Sequence, residues 1–419
     1  MASYQNMVAA RHQDRQELDD VYRDTHEVVL TIDGLQPEKG HETLYVVREV
    51  TCDRVWFAEP LLSGATDEIR RLFVRAGEIA DRLNVKVVLW ISDKQDAFLK
   101  CITEQFPGVP HRYCENHFFR DLAKPILKID STAKKKMRAN IRGLRALERE
   151  VLEARQAEQA RAGTASSPPR DTETPSSLSA AEGDVVLDYC SVVRGILNDN
   201  HGGPCHPPGL RMVDALADVQ QSLERIASSG QTGPAFALLH RLQGFVDRGV
   251  AGQQDTFSRV RAYTEQTRAV IDLLTVAEGP PLAEREPLFQ AKIAELEALA
   301  NDKTYAAMAQ VMTSFQAGLF AGADLPEYSR DNLDLERWFR LPKSHERRIH
   351  GHHHAGVRIV REGPTLLPTL DAHAHHPGIF TREELSRFST ATAPPSQVAS
   401  QQRHGIMQKG RSKKSDSSC

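Results

Sequence analysis

The stretch Val85–Asp93, VKVVLWISD, decides the fold. Before its closing Asp93 it is apolar and β-branched except for Lys86 and Ser92, the composition of a strand buried on both faces. Upstream, Ile69, Leu72, Phe73, Ala76, Ile79, Ala80 and Leu83 recur with a 3.6-residue period. That spacing predicts an amphipathic helix, with Thr66 as its N-cap and Asp67 and Glu68 in the positive first turn. Farther upstream lie three β-rich runs, Val28–Ile32, Thr43–Val50 and Arg54–Ala58, the last two separated by TCD, which read as an antiparallel meander. Downstream, Phe98, Ile102 and Phe106 are spaced for a shorter helix closed by Pro107-Gly108. The order βββαβα predicts an α/β fold on a mixed sheet.

The 419 residues provide for two or three domains. With 53 Lys and Arg against 56 Asp and Glu, the net charge of -3 excludes a polybasic chain, so any nucleic-acid surface must be a local patch. No apolar run reaches the roughly 18 residues of a membrane span. The acidic first thirty residues do not resemble a signal peptide, and the six scattered cysteines suit a reducing compartment. A cytoplasmic protein is expected. The chain divides into a lead-in over 1–27, a first part of the α/β core over 28–130 and a basic helix over 131–158. A Ser/Pro/Thr-rich linker over 159–184, expected to be disordered, leads to an all-α block over 185–325. The core resumes over 326–375, and a disordered basic tail fills 376–419.

Asp33 ends the first strand run and Asp93 the fourth. If those strands are neighbours, both carboxylates emerge side by side, where like charges repel and a divalent cation with hard oxygen ligands is the usual stabiliser. This element order, with acids on those strands, is the ribonuclease H arrangement. Spacing alone does not single out a third acid among Asp331, Asp334, Glu336 and Glu346.

The segments TIDGLQPEKGHETLYVVREV, LLSGATDEI, VLWISDKQDAF, PGVPHRYCENHFFRDLAKP and DNLDLERWFRLPKSHERRIHG resemble, in this order, bacterial insertion-sequence transposases of the DDE type, over about Val28 to Gly351 excluding the linker. The resemblance implies that Asp33, Asp93 and Glu336 are the catalytic, metal-holding acids. It also implies that the all-α block is the helical insertion which Mutator-like relatives place between the second and third acid. The implied chemistry is two-metal phosphoryl transfer with Mg²⁺, for which Mn²⁺ substitutes: cleavage of a DNA strand, then transfer of the freed 3′ end to target DNA. Implied partners are transposon ends and target DNA, with a homo-oligomer to join two ends and a nucleoid-associated location.

Cys114 and His117 form a Cys-x-x-His, half of a zinc site, with no second pair at matching spacing. The relatives share this motif near the core. Lys and Arg outnumber acids between Arg112 and Arg149, and Lys134, Lys135 and Lys136 are candidates for phosphate contact. Lys343, Arg347, Arg348, Arg358 and Arg361 form a second basic cluster after Glu336. His350 and His352–His354 read as an exposed loop beside DNA. The relatives' N-terminal helix-turn-helix region has no room ahead of Val28. The competing reading is therefore a truncated, non-catalytic remnant that binds DNA or a transposase.

Overall fold

The computed structural model describes residues 3–36, 42–164, 178–275, 280–325, 335, 338–350 and 358–392. The elements in chain order are α1 (Tyr4–His12), α2 (Arg15–Val21), β1 (Glu27–Leu35), β2 (Thr43–Glu49), β3 (Arg54–Leu61), α3 (Thr66–Leu83), β4 (Lys86–Ser92), α4 (Asp96–Gln105) and β5 (His111–Tyr113). A helical series follows: α5 (Glu115–Asn140), α6 (Leu144–Thr164), α7 (Ala180–Asn198), α8 (Pro208–Ala227), α9 (Pro234–Val250), α10 (Gln254–Thr275), α11 (Leu282–Ala298) and α12 (Lys303–Leu319). The described chain closes with α13 (Arg340–His350), α14 (Arg358–His375) and α15 (Arg382–Ser386). Among the described residues no helix is long and apolar enough to cross a membrane.

Two compact units divide the chain: Met1–Phe118 with Pro280–Glu286 and Thr313–Cys419, and Phe119–Gly279 with Pro287–Met312. The first is α/β. Its five strands form a mixed sheet in the order β3-β2-β1-β4-β5, with β1–β2 and β2–β3 antiparallel and β1–β4 and β4–β5 parallel. The three-residue β5 is too short to leave a period in the sequence. β4 is buried at every position but Lys86, as its composition predicts.

Alternation along the strands loads both faces. Val28, Leu30, Ile32, Val47 and Trp90 pack with the periodic side of α3 and with Phe98 and Ile102 of α4. On the opposite face Leu35, Leu44, Val46, Val55 and Ala58 pack with Leu335, Trp338, Phe339 and the Val360, Leu366 and Leu367 side of α14. Gly363 of α14 sits where a Cβ would meet the Leu44 side chain at 2.4 Å, so a hydrogen at that position sets how closely α14 approaches β2.

Several local expectations need correction. Thr66 is the first residue inside α3 and not its cap; Ala65 holds the cap position, and Ser63 Oγ accepts its N–H at 3.1 Å. The lead-in holds two helices, α1 with buried Val8 and α2 with buried Leu18, and α1 adds a polar anchor. Buried His12 of α1 meets Asp371 of α14 at 3.0 Å, and Asp371 also accepts the Val55 N–H of β3 at 2.9 Å. The tail expected from residue 376 begins as built structure. Thr381 and Glu384 form a capping box, and Phe380 and Leu385 pack with Val8 and Ala372. Residues 393–419 lie outside the described chain.

Every secondary-structure element named above in the second unit is a helix, and the loop between α7 and α8 holds the isolated bridge Gly203–His206. The single basic helix expected over 131–158 is two helices, parted at Gly143, whose φ of 108° disfavours any side chain and whose Cα faces the Phe245 ring. Of the expected linker, 165–177 lie outside the described residues; α6 runs into its start and α7 begins within its end.

Candidate functional site

Thr31 of β1 stands opposite Ile91 of β4 in the parallel register. Two residues farther along each strand are Asp33 and Asp93, at the same level of neighbouring strands, Asp93 being the first residue past β4. Alternation also sets them on one face: Asp33 pairs with Val46, a member of the second-face cluster, and Asp93 shares the parity of Leu89 and Ile91. Both residues are half-buried, and Asp33 Oδ1 accepts the Gly34 N–H at 2.7 Å.

The Tyr45 hydroxyl senses both acids. Burial raises its phenol pKa, and the charges of Asp93 and Asp33 push the same way, against a lowering hydrogen bond from Gln95. Tyr45 is the cross-strand partner of Gly34.

Behind Asp93 the strand end is held by a chain of polar contacts. Ser92 Oγ donates to the Asp93 carbonyl at 2.9 Å and lies 2.7 Å from His111 Nε2. With the hydroxyl proton committed to a carbonyl, the imidazole proton belongs on Nε2. Burial pushes the His111 pKa down to about 4, so this ring is neutral at pH 7. Cys114, buried, donates its backbone N–H to the Ser92 carbonyl at 2.8 Å and extends the β4–β5 pairing to the start of α5. His117 follows in the first turn of α5, half-buried. The Cys-x-x-His pair thus borders the end of β4 that presents Asp93. Among the described residues no group of three or more His, Cys, Asp or Glu side chains is arranged to hold a metal ion.

Lys94 and Arg112 tie the returning chain to the same sheet edge. Lys94 Nζ donates to the Ser314 carbonyl at 2.5 Å and lies 4.9 Å from the centroid of Phe315. Buried Arg112 donates to the carbonyls of Ala321 and Gly322 at 3.0 and 2.7 Å. Ala321 and Gly322 lie just past the C-terminus of α12, where carbonyls lack intrahelical partners, and Arg112 supplies donors to both. Sequence reading passed over Tyr45, Gln95, Lys94 and His111, although all lie inside the segments that carry the family resemblance.

Glu336, Asp331 and Asp334 lie outside the described residues. The neighbours Leu335 and Trp338 pack in the second-face cluster with Leu35, two residues beyond Asp33. The described donor set is therefore two hard carboxylates, which suits Mg²⁺ or Mn²⁺ in kind and needs a further oxygen ligand in number.

The basic candidates separate. Lys134 is buried in the second unit, its Nζ donating to the Asp199 carbonyl at 2.5 Å and to Asn200 Oδ1 at 2.9 Å, with burial lowering its pKa. It is committed internally. Lys135 and Lys136 are exposed. On α13, Lys343 is half-buried with Nζ 5.9 Å from the Phe339 centroid, and exposed Arg348 donates to Ser344 Oγ at 3.3 Å. The side chains of Arg347, His350, Arg358 and Arg361, and residues His352–His354, lie outside the described residues. No protein-family model and no curated protein matches this chain.

Proposed function

We propose that the α/β unit is a ribonuclease H-like catalytic core of a DDE transposase, cleaving a DNA strand and joining the freed end to target DNA. The carrying observation is the level placement of Asp33 and Asp93 on neighbouring parallel strands, within the order β3-β2-β1-β4-β5. Carboxylates so close stabilise their charges with a divalent cation. Asp33 and Asp93 would hold Mg²⁺ or Mn²⁺, with Glu336 as the third ligand implied by the family resemblance. A cation bound there neutralises charge on a phosphodiester and polarises its attacking and leaving oxygens.

In the first reaction a P–O3′ bond breaks and a bond from phosphorus to a water oxygen forms, leaving a 3′-hydroxyl. In the second that hydroxyl attacks a target phosphorus and displaces a target 3′ oxygen. The protein's own part is placement. Strand pairing fixes the acids to one level, and the Ser92–His111 contacts hold the backbone of Asp93. Lys135, Lys136, Lys343 and Arg348 are the described cations suited to DNA phosphates. Joining two element ends calls for more than one copy of the chain.

The test is cleavage and strand transfer by purified protein on inverted-repeat DNA with Mg²⁺ or Mn²⁺. Metal-dependent nicks and joined products should appear with wild type and vanish with Asp33→Ala or Asp93→Ala. Nicks without joining would reduce the reading to a nuclease. Equal cutting by wild type and both variants would refute the assignment of the acids.

A further inference from the structure

Asp93 stands one residue past β4, beyond the last register pair, Ser92 with Tyr113. The two peptide groups that flank its Cα are nonetheless both held. The one before it is held at the Ser92 carbonyl, which accepts the Cys114 N–H at 2.8 Å. The one after it is held at the Asp93 carbonyl, which accepts the Ser92 hydroxyl at 2.9 Å. Fixing both planes fixes φ and ψ of Asp93, and with them the direction in which its side chain leaves the backbone.

The second of these bonds depends on one rotamer of Ser92, a residue with no exposed surface. His111 selects that rotamer. Its Nε2 lies 2.7 Å from Ser92 Oγ, and because the single hydroxyl proton goes to the Asp93 carbonyl, the ring donates and the oxygen accepts. The sheet places the ring: His111 is the register partner of Trp90 across β4 and β5, which puts it on the face of Trp90 and Ser92, and Tyr113 meets it edge-on at 5.1 Å. Alternation sends Asp93 to the other face, so His111 reaches the acid only through the Ser92 hydroxyl and the backbone.

We propose that His111, acting through Ser92, is a positioning residue that aims the Asp93 carboxylate for divalent-cation binding. The inference rests on the catalytic reading above and adds to it a residue outside the three acids. A ligand aimed in advance is spared the ordering cost that a loose one meets on binding. Hydrogen-bonded groups standing behind metal ligands commonly govern affinity by tenfold or more.

Mn²⁺ binding to the full chain, followed by electron paramagnetic resonance, tests this. Wild type should bind and Asp93→Ala should not. His111→Leu, which removes the donor, and Ser92→Ala, which removes the hydroxyl, should each weaken binding about tenfold. The double variant should bind no more weakly than either single one, because both residues act through one bond to the Asp93 carbonyl. His111→Gln keeps an amide donor for Ser92 and should recover most of the lost affinity, which a purely packing role would not allow. Excess Mn²⁺ should restore DNA cleavage in His111→Leu, because the defect lies in loading. Ser92→Ala removes a single oxygen and carries the test if His111→Leu fails to fold. Wild-type affinity in Ser92→Ala or His111→Leu, additive losses in the double variant, or no recovery in His111→Gln, with Asp93→Ala unable to bind, would overturn the positioning role and leave the catalytic reading standing. Binding undiminished in Asp93→Ala, or absent from wild type, would overturn both.

Discussion

Acidification should destabilise the α/β unit through His111, and the size of the effect follows from its burial. The imidazole is neutral in the folded chain down to about pH 4, whereas in the unfolded chain it takes up a proton near its ordinary value of 6.5. Between those values the unfolded state binds the extra proton, so stability falls as pH falls. Linkage over this interval gives a loss of about 2 kcal/mol by pH 5 and about 3 kcal/mol by pH 4, relative to pH 7. His111 retains some exposed surface, so these figures are upper bounds. Other groups titrate too, and the measurement must isolate this one. Urea unfolding of wild type and His111→Gln at pH 7, 5 and 4, followed by tryptophan fluorescence, does so because Trp90 lies in the same sheet. The stability of wild type minus variant should fall toward acid by about those amounts. A difference independent of pH would show that His111 titrates alike in the folded and unfolded chain and would refute the reasoning.

Other substitutions probe the packing and the surface. Gly34→Ala would set a Cβ 2.7 Å from Thr43 Cγ2 and should cost about 1–3 kcal/mol in chemical denaturation, with loss of activity. Asp130→Ala removes the carboxylate that accepts the Gly209 and Leu210 N–H groups at the start of α8, at 2.7 and 2.8 Å. Relief of the buried charge offsets part of that loss, and a net cost of about 2–4 kcal/mol should appear as faster amide exchange in the first turn of α8. Lys135→Ala and Lys136→Ala should each lower the salt dependence of DNA binding by about one unit of slope. Lys134→Ala should leave that slope alone and reduce thermal stability.

Periodicity carried the sequence reading wherever burial is regular. α3 buries each of the seven residues its 3.6-residue pattern marks, and β4 is as enclosed as its composition implies. The level placement of Asp33 and Asp93 was legible because each closes a β-rich run of the sequence. What periodicity does not encode was missed. α1 has little apolar stripe, and its place is fixed by Val8 packing with Ala372 and Phe380 and by the buried His12–Asp371 contact with α14. The break at Gly143 answers to Phe245, about a hundred residues away in the chain. The role of Lys134 was in the sequence but masked by its charged neighbours: Ile126, Asp130, Ala133, Lys134 and Met137 form one buried helical stripe.

The long interval between the second acid and the region of Glu336 is compatible with a local site because of where the chain leaves the α/β unit and where it returns. Departure is at Phe118 and return at Thr313, and the rings of Phe118 and Phe315 are 5.4 Å apart between centroids. Tyr113 closes the same junction, edge-on to Phe315 at 5.8 Å and pressed onto Gly318 so tightly that a Cβ there would overlap its ring. A second visit, Pro280–Glu286, is held by Gln316 Nε2 donating to Glu286 Oε1 at 3.0 Å. Neighbouring entry and exit points let a large insertion fold without stretching its host. The residues at this junction are those that flank Asp93: Lys94 follows it, and Arg112 and Tyr113 lie on the strand beside it. The contacts that close the insertion also fix the start of the path toward Leu335 and Trp338. An insertion at this point therefore lengthens the chain between the acids while its ends stay anchored to the strand end that presents Asp93.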